Sequence, residues 1–330
     1  MRLRCDKGAN SPTSPDEQVS ARQALEAWKK RLVQTPPATD CAADALAPSC
    51  EWNTYIQAMG GFISGARLEQ ISAADFAAYD TAATSCNWRV PAGYGTLIAA
   101  SLPPTVVRRL STPAQAIDFD VNGVCVTTPA GTLRARTAIT TVSTSVLAGP
   151  RSGCPPRSTP GDMPQHCCRL GKTRSCFSRS PATVLRSGDA GSGQPRDVRT
   201  GAYYIRPFGW PVIECFFGGE GARIVAENGP EAGFVHAREE LATLFGSAVS
   251  HVVRPLCASN WSRTPHVSGA YSCALPGHAA ARQVLARPFD DRLFFAGEAT
   301  HRFDFSTAHG AYDSGVRAAE QAVASFAVVR

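Results

Sequence analysis

The sequence of 330 residues lacks any apolar run that approaches about 18 residues, which excludes a transmembrane helix. Its start, Met1 to Asn10, is basic and polar and lacks the apolar centre of a secretory signal. The 12 cysteines form no C-x2-4-C pair, so the spacing of a thiolate cage is missing and no metal site is predicted. These absences predict a cytoplasmic protein with reduced thiols and no membrane partner.

The overall composition is typical of a globular protein. Hydrophobic residues make up 44% of the chain and charged residues 18%, which excludes disorder over the whole length. A chain of this length can bury the core of one large domain or of two ordinary ones.

The formal charge of +6 lies entirely in one window, residues 151–200. This window has eight Arg and one Lys against three Asp, whereas the rest of the chain has 24 basic and 24 acidic residues. Such a composition favours a flexible basic loop. A nucleic-acid or membrane patch is less favoured, because interleaved aromatics are missing, and we expect no nucleic-acid partner. A third alternative is that the window is not selected protein sequence.

Apolar spacing predicts the main elements outside this window. Helices are expected over 21–33, 95–101, 236–245 and 307–327, and short helical pieces over 57–85, broken at Gly60-Gly61 and Gly65. Strands are expected over 106–110, 116–121, 124–129, 132–143, 202–205, 211–217, 251–256 and 292–296. The strands between 106 and 147 predict a small meander with turns at Asn122-Gly123 and Ala130-Gly131.

The most informative pattern lies near the C-terminus. Residues 293–300, Leu-Phe-Phe-Ala-Gly-Glu-Ala-Thr, predict a buried strand that ends in a Gly-Glu turn, and a helix follows Ser306-Thr307. Small residues on its first turn allow a flat ligand to approach the backbone. The free N–H groups of a helix start suit an anionic ligand edge. An ordinary strand-loop-helix unit is the alternative.

Four stretches together resemble the flavin-containing amine oxidases, the monoamine and polyamine oxidase family. The C-terminal stretch is similar to the family's FAD signature, and residues 87–95 resemble its glycine turn beside the flavin. Residues 138–147 resemble its V-P/S-x-x-V-L strand end, and Trp261 with 269–272 resembles its W…G-x-Y-S block. In order and spacing the likeness covers 18–150 and 201–330, and it is strongest to bacterial FAD-dependent amine oxidases.

The resemblance implies an α/β fold, with an FAD-binding domain of the glutathione-reductase type and a mixed α+β substrate domain. Residues 1–85 are expected to be the helical part of the substrate domain, and 86–150 the β-meander part of the FAD-binding domain. Residues 151–255 return to the substrate domain, with 151–200 anomalous and disordered, and 256–330 complete the FAD-binding domain.

The resemblance also implies site residues. Those implied to bind the cofactor lie at turns and at a helix start: Gly93, Tyr94, Gly95, Gly297, Glu298, Thr307, Ala308 and Ala311. Trp261 and Tyr271 are implied to be catalytic, as aromatic walls that pack by the flavin and align a neutral amine. Core packing is the alternative for both. Ala270 stands where some relatives have a cysteine linked to FAD, so the FAD is expected to be non-covalent.

Two features depart from the family. No βαβ unit with G-x-G-x-x-G precedes Ala21, so we expect an N-terminal dinucleotide-binding half to be missing from this chain. The family's lysine-bearing strand near the flavin falls within 151–200, where no such strand is predicted and Lys172 stands in an unrelated context. One choice of codons for 169–180 gives Pro-Trp-Gln-Asp-Lys-Val-Leu-Leu-Phe-Ala-Leu in another frame. We therefore hypothesise two compensating frameshifts, near residues 150 and 200, in a truncated gene or a faulty gene model.

The function implied by the resemblance is FAD-dependent oxidative deamination of a primary amine or polyamine. The hydride passes to the flavin and O2 is the acceptor, which gives an aldehyde or imine, ammonia and peroxide. The expected partners are a small amine and O2, and a homodimer is left open. The main alternative is a non-catalytic remnant that does not bind FAD. A basic binding protein that uses the 151–200 arm is a weaker one.

Overall fold

A computed structural model describes residues 14–84, 86–120, 123–149, 168–170, 173–179, 190–259 and 261–328. The helices are α1 Pro15–Gln34, α2 Asn53–Ser64, α3 Ala73–Ala82, α4 Tyr94–Ser101, α5 Thr144–Leu147, α6 Gly219–Asn228, α7 Pro230–Phe245, α8 Ala248–Val252, α9 Ala281–Leu285 and α10 Ala308–Val328. The strands are β1 Ala116–Asp120, β2 Gly123–Thr128, β3 Gly131–Ala135, β4 Ala138–Thr140, β5 Cys168–Leu170, β6 Thr173–Arg179, β7 Ala190–Ser192, β8 Gly201–Ile205, β9 Val212–Gly218, β10 Arg254–Ala258, β11 Ser272–Ala274 and β12 Leu293–Phe295. Among the described helices, none is long and apolar enough to cross a lipid bilayer.

The N-terminal helices form a cluster around Trp28. α1 confirms the helix predicted over 21–33 and begins earlier, because Ser14 and Glu17 cap each other. The Glu17 N–H donates to Ser14 Oγ at 3.2 Å, and the Ser14 N–H donates to Glu17 Oε2 at 2.8 Å. Trp28 is fully buried and meets the ring of Phe76 in α3 edge-on, with centroids 4.8 Å apart. This packing fixes the position of α3.

α2 continues through Gly60-Gly61, where the sequence predicts a break, and ends at Gly65 with φ 66°. A Cβ on Gly61 would lie 3.2 Å from Gly219 Cα, and a Cβ on Gly218 would lie 2.6 Å from Gly61 O. These glycines let α2 contact the end of β9 and the start of α6 at backbone distance. The break is therefore a wrong prediction, because close packing accounts for the glycines.

The largest sheet has five antiparallel strands in the order β10-β6-β9-β8-β7. α6 and α7 pack against it around a core that contains Tyr203, Phe217 and Leu241. β8 and β9 confirm the strands predicted over 202–205 and 211–217.

Three strands, β5, β6 and β7, lie within 151–200, where the sequence predicts none. β6 lies between β9 and β10, and its Cys176 is opposite Cys215 on one side and Ala258 on the other. A central strand gains backbone hydrogen bonds along both edges, which apolar periodicity does not detect. The predicted absence of strands is wrong at these positions. Lys172 lies outside the described residues.

The smaller sheets agree with the predicted meander. β1, β2 and β3 form a three-stranded antiparallel sheet. β4 pairs in parallel with β12, which places Ala138–Thr140 beside the C-terminal strand. β11 pairs with β5.

Two predicted strands differ in the structure. The expected strand 106–110 is irregular and exposed at every residue, and a short apolar run without a sheet partner does not form a strand. The expected strand 251–256 begins only at Arg254, because His251 belongs to α8. The helix predicted over 95–101 is confirmed as α4, although none of its residues is buried.

Candidate active site

The C-terminal strand leads into a glycine turn. All three residues of β12 are buried, and the chain turns at Gly297, whose φ is 121°. Side-chain-bearing residues rarely adopt this conformation, whereas glycine does so freely. The Gly297 N–H donates to Ser314 Oγ of α10 at 2.8 Å. The strand predicted over 292–296 and the helix predicted over 307–327 are confirmed, and this hydrogen bond joins them.

Arg317 of α10 stabilises the same turn by hydrogen bonds. Its Nη2 donates to Phe295 O at 2.6 Å and to Thr300 Oγ1 at 3.0 Å, and its Nη1 donates to Thr300 O at 3.2 Å. Burial lowers the pKa of this guanidinium, yet an arginine remains a cation at neutral pH. The cation and Ser314 therefore hold the turn rigidly against α10.

A cavity of about 310 Å³ opens beside the turn, at the lower end of the roughly 300–1,000 Å³ typical of ligand pockets. Most of its lining residues are small or carry a hydroxyl group. They are Thr141, Val142, Ser143, Thr144, Leu147, His266, Val267, Ala270, Leu285, Phe295, Ala296, Gly297, Glu298, Ala299, Thr300 and Ala311. The structure thus brings three of the predicted cofactor residues together: Gly297, Glu298 and Ala311.

α10 begins beside this cavity, with Ala308 as its first residue. The hydroxyl of Thr307 accepts from the Gly310 N–H at 3.0 Å and donates to Asp304 O at 2.5 Å, so Thr307 caps the helix. The helix dipole places partial positive charge at this end, where Ala311 reaches the cavity. An anionic ligand edge suits such a helix start.

Glu298 lines the cavity, but protein donors occupy its carboxylate. Its Oε1 accepts from the Ser272 N–H at 3.0 Å, and its Oε2 accepts from the Ser272 hydroxyl at 2.8 Å and from the Ser306 N–H at 2.7 Å. Protein donors therefore take three of the roughly four hydrogen bonds that an ionised carboxylate can accept.

The two predicted aromatic walls are not among the cavity-lining residues. Tyr271 follows the lining residue Ala270 and donates its hydroxyl to the carbonyl of Phe62 in α2. Burial raises the pKa of the Tyr271 phenol, so this hydroxyl stays protonated. Trp261 is 51% exposed. The structure therefore places Tyr271 between α2 and the cavity and leaves Trp261 at the surface.

The predicted glycine turn at Gly93, Tyr94 and Gly95 is exposed and separate from the lining residues. A Cβ on Gly93 or Gly95 would meet no atom within 4 Å. The side chain of Tyr94 is 51% exposed. The described residues do not bring this turn into the cavity wall.

Three buried residues support the site although the sequence predicts no role for them: Asp75, Arg282, and Ser272 at the end of the Gly-Ala-Tyr-Ser stretch. The pattern Ser72-x-x-Asp75 is typical of a helix cap, and the Asp75 N–H does donate to Ser72 Oγ at 3.1 Å. The Asp75 carboxylate, however, pairs with Arg282 Nε at 2.6 Å. The helix-cap pattern therefore accounts for the Asp75 main chain, whereas its side chain pairs with Arg282 from a distant part of the sequence.

The residues of the cavity fit part of a flavin nucleotide. Thr144 Oγ1 is buried in the lining and has no hydrogen-bond partner within the described part of the chain, so it is ready to bind a ligand atom. Small residues at Gly297 and Ala311 leave room for a flat ring beside the helix start. Across the described ranges, no group of three or more His, Cys, Asp and Glu residues could hold a metal ion.

A family model described as flavin containing amine oxidoreductase matches residues 14–323. This match spans nearly the whole chain and includes the strand, the turn and α10. The chain belongs to the flavin-containing amine oxidoreductase family. Flavin is the cofactor of this family, and amines are the substrates of its oxidases.

Curated members of this family match shorter stretches. Lysine-specific histone demethylase 1 homolog 2 of Oryza sativa subsp. japonica is 34% identical over 116 residues, which is 34% of this chain and 15% of that protein. Polyamine oxidase 1 of the same organism is 34% identical over 128 residues, which is 33% of this chain and 24% of that protein. The matches therefore span less than a quarter of the length of these relatives.

Solved structures of the family share the fold. Wild-type putrescine oxidase bound to putrescine matches with a TM-score of 0.72 and 17% identity, over 97% of this chain and 78% of that chain. Cyclohexylamine oxidase from Brevibacterium oxydans IH-35A matches with a TM-score of 0.60 and 18% identity, over 97% of this chain and 77% of that chain. The mixed α/β architecture is therefore that of FAD-dependent amine oxidases.

Proposed function

We propose that this chain is an FAD-dependent amine oxidase that deaminates a primary amine or polyamine with O2 as the acceptor. The observation that carries the proposal is the Gly297 turn and the first turn of α10, which present the small residues Gly297 and Ala311 to one cavity. Putrescine oxidase and cyclohexylamine oxidase are named for small amines, which favours a small amine here.

The residues proposed to hold FAD lie on two turns and one helix start. They are Gly297, Glu298 and Ala311 at the cavity, Thr307 and Ala308 at the start of α10, and Gly93, Tyr94 and Gly95 at the exposed turn. When bound, FAD supplies a ring that accepts hydride and returns the electrons to O2. The dipole of α10 stabilises negative charge at its N-terminal end. Ala270 has no thiol, so binding is non-covalent.

Trp261 and Tyr271 are proposed as the aromatic walls that orient the amine. The hydroxyl of Tyr271 is tied to Phe62 O, so its ring is held in one orientation. An aromatic face attracts the ammonium form and keeps water away from the neutral amine. Trp261 is half-exposed, so its ring is accessible to a small molecule from solvent.

The domain assignment follows the same proposal. We assign 86–150 with 256–330 to a cofactor part of the glutathione-reductase type, and the parallel pairing of β4 with β12 beside α10 supports this assignment. We assign the helices of 1–85 and the five-stranded sheet of 151–255 to the substrate part, although the edge strand β10 of this sheet continues to Ala258.

The full chain tests this function directly. We expect the purified protein to be yellow, to release intact FAD on denaturation, and to form hydrogen peroxide when putrescine or cyclohexylamine is added. Folded protein that stays colourless after incubation with FAD and forms no peroxide would contradict the proposal. That result would support the non-catalytic alternative.

Replacement of Tyr271 tests the proposed wall. Tyr271→Ala removes the ring and is expected to lower kcat/KM for the amine by about tenfold or more, because orientation of the substrate is lost. Tyr271→Phe keeps the ring and loses only the hydrogen bond to Phe62 O, a loss of about 1 kcal/mol of stability. Steady-state measurement of kcat/KM in both variants shows whether the ring of Tyr271 orients the amine. Equal kcat/KM in Tyr271→Ala and the unmodified chain would exclude the role.

A further inference from the structure

A buried chain of hydrogen bonds connects the N-terminal helices to the cavity turn. Its members come from α3, β11, α9 and the turn after β12: Asp75, Ser272, Arg282 and Glu298. Asp75, Ser272 and Arg282 are only 3%, 0% and 1% exposed. Because water does not reach these groups, each of them depends on its protein partners.

Arg282 lies in the middle of this chain of hydrogen bonds. Its Nε and Nη2 donate to the two carboxylate oxygens of Asp75 at 2.6 and 2.8 Å, which is a bidentate pair. Its Nη1 donates to Ser272 Oγ at 2.7 Å, and its Nη2 donates to Ser272 O at 3.2 Å. The ring of Phe305 lies against the guanidinium, with 3.5 Å between Cζ and the ring centroid. These contacts fix the cation in one place.

Ser272 connects the fixed Arg282 side chain to Glu298 by hydrogen bonds. Its hydroxyl accepts from Arg282 and donates to Glu298 Oε2 at 2.8 Å. The same Oε2 accepts from the Ser306 N–H at 2.7 Å, and the Ser306 hydroxyl donates to Ser272 O at 2.9 Å. One carboxylate therefore joins both ends of the loop between the turn and α10.

We propose that Ser272 and Arg282 are positioning residues for the cofactor cavity and that they act through Glu298. This inference rests on the proposed FAD-dependent function. The Ser272 hydroxyl joins a fixed cation to the carboxylate that holds the cavity wall. Its removal loosens the wall, although Ser272 is not among the lining residues. Through Asp75, the same chain of hydrogen bonds connects the cavity wall to α3.

The experiment measures the FAD dissociation constant of the full chain by quenching of flavin fluorescence. Ser272→Ala and Glu298→Gln are each expected to weaken FAD binding by about tenfold, the lower end of the loss seen when groups that orient metal ligands are removed. The double variant is expected to bind FAD no more weakly than the weaker single variant, because both changes break the same hydrogen bond between Ser272 and Glu298. The visible circular dichroism of bound flavin is expected to change alike in both single variants.

Ser325→Ala is the matched control. Ser325 lies near the far end of α10, and its hydroxyl donates locally to Ala322 O at 2.8 Å. We expect unchanged FAD binding in this variant. Wild-type FAD affinity in either Ser272→Ala or Glu298→Gln would overturn the inference, as would effects that multiply in the double variant. If the unmodified folded chain binds no FAD, the proposed function itself fails, which is a distinct outcome.

Discussion

Replacement of Asp75 by alanine is expected to lower the free energy of unfolding by about 3–5 kcal/mol, because it leaves the buried cation of Arg282 without its carboxylate. Asp75 also accepts from the Ala274 N–H at 2.9 Å, so β11 loses a partner at the same time. Urea denaturation of the purified chain measures the change. A loss of this size is a large fraction of the stability of an ordinary domain.

Glu227→Ala is the control for this prediction. It removes the carboxylate that pairs with Arg223 Nη1 at 2.7 Å, in an ion pair whose side chains are 44% and 51% exposed. Solvent and salt screen such a pair, so the expected loss is small beside that of Asp75→Ala. The double variant Asp75→Ala with Arg282→Met removes both buried charges and is expected to be more stable than Asp75→Ala alone. If Asp75→Ala and Glu227→Ala lose equal stability, the buried pair does not support the fold.

Replacement of Gly310 by alanine is expected to lower the free energy of unfolding by about 1–3 kcal/mol and to weaken FAD binding. A Cβ at this position would overlap the carbonyl oxygen of Asp304 and would lie 2.7 Å from its carbonyl carbon. Because the obstacle is backbone, the loop before α10 must move. That loop contains Thr307, which caps the helix.

Gly315→Ala is the matched change on the same helix. A Cβ there would meet no atom within 4 Å, and alanine favours a helix by about 1 kcal/mol over glycine. We expect Gly315→Ala to raise the thermal midpoint and to leave FAD binding unchanged. If both variants shift the midpoint in the same direction, the contact between Gly310 and Asp304 is not restrictive.

Local sequence patterns predict a helix, strand or turn when the residues that favour it are adjacent in sequence. The apolar run at 293–295, the glycine that follows it and the small residues of α10 lie together, so the strand, turn and helix are predictable. Gly297, Glu298 and Ala311 reach the cavity for the same reason.

Contacts between distant segments are not predictable in this way. Asp75 and Arg282 are far apart in sequence, and each belongs to a residue type that is usually exposed. β6 is a central strand although its residues, Thr-Arg-Ser-Cys-Phe-Ser-Arg, show no apolar alternation. Gly60-Gly61 predicts a helix break from sequence alone, yet Gly61 permits close packing on Gly219. Tertiary pairing decides all of these features.

The most direct test of the whole account is an equilibrium titration of FAD into the purified chain, with Gly310→Ala and Gly315→Ala measured alongside. We expect saturable binding of one FAD per chain, full release of FAD on denaturation, weaker binding in Gly310→Ala and unchanged binding in Gly315→Ala. Folded protein that does not bind FAD, or equal affinity in all three chains, would contradict a flavin site at the start of α10.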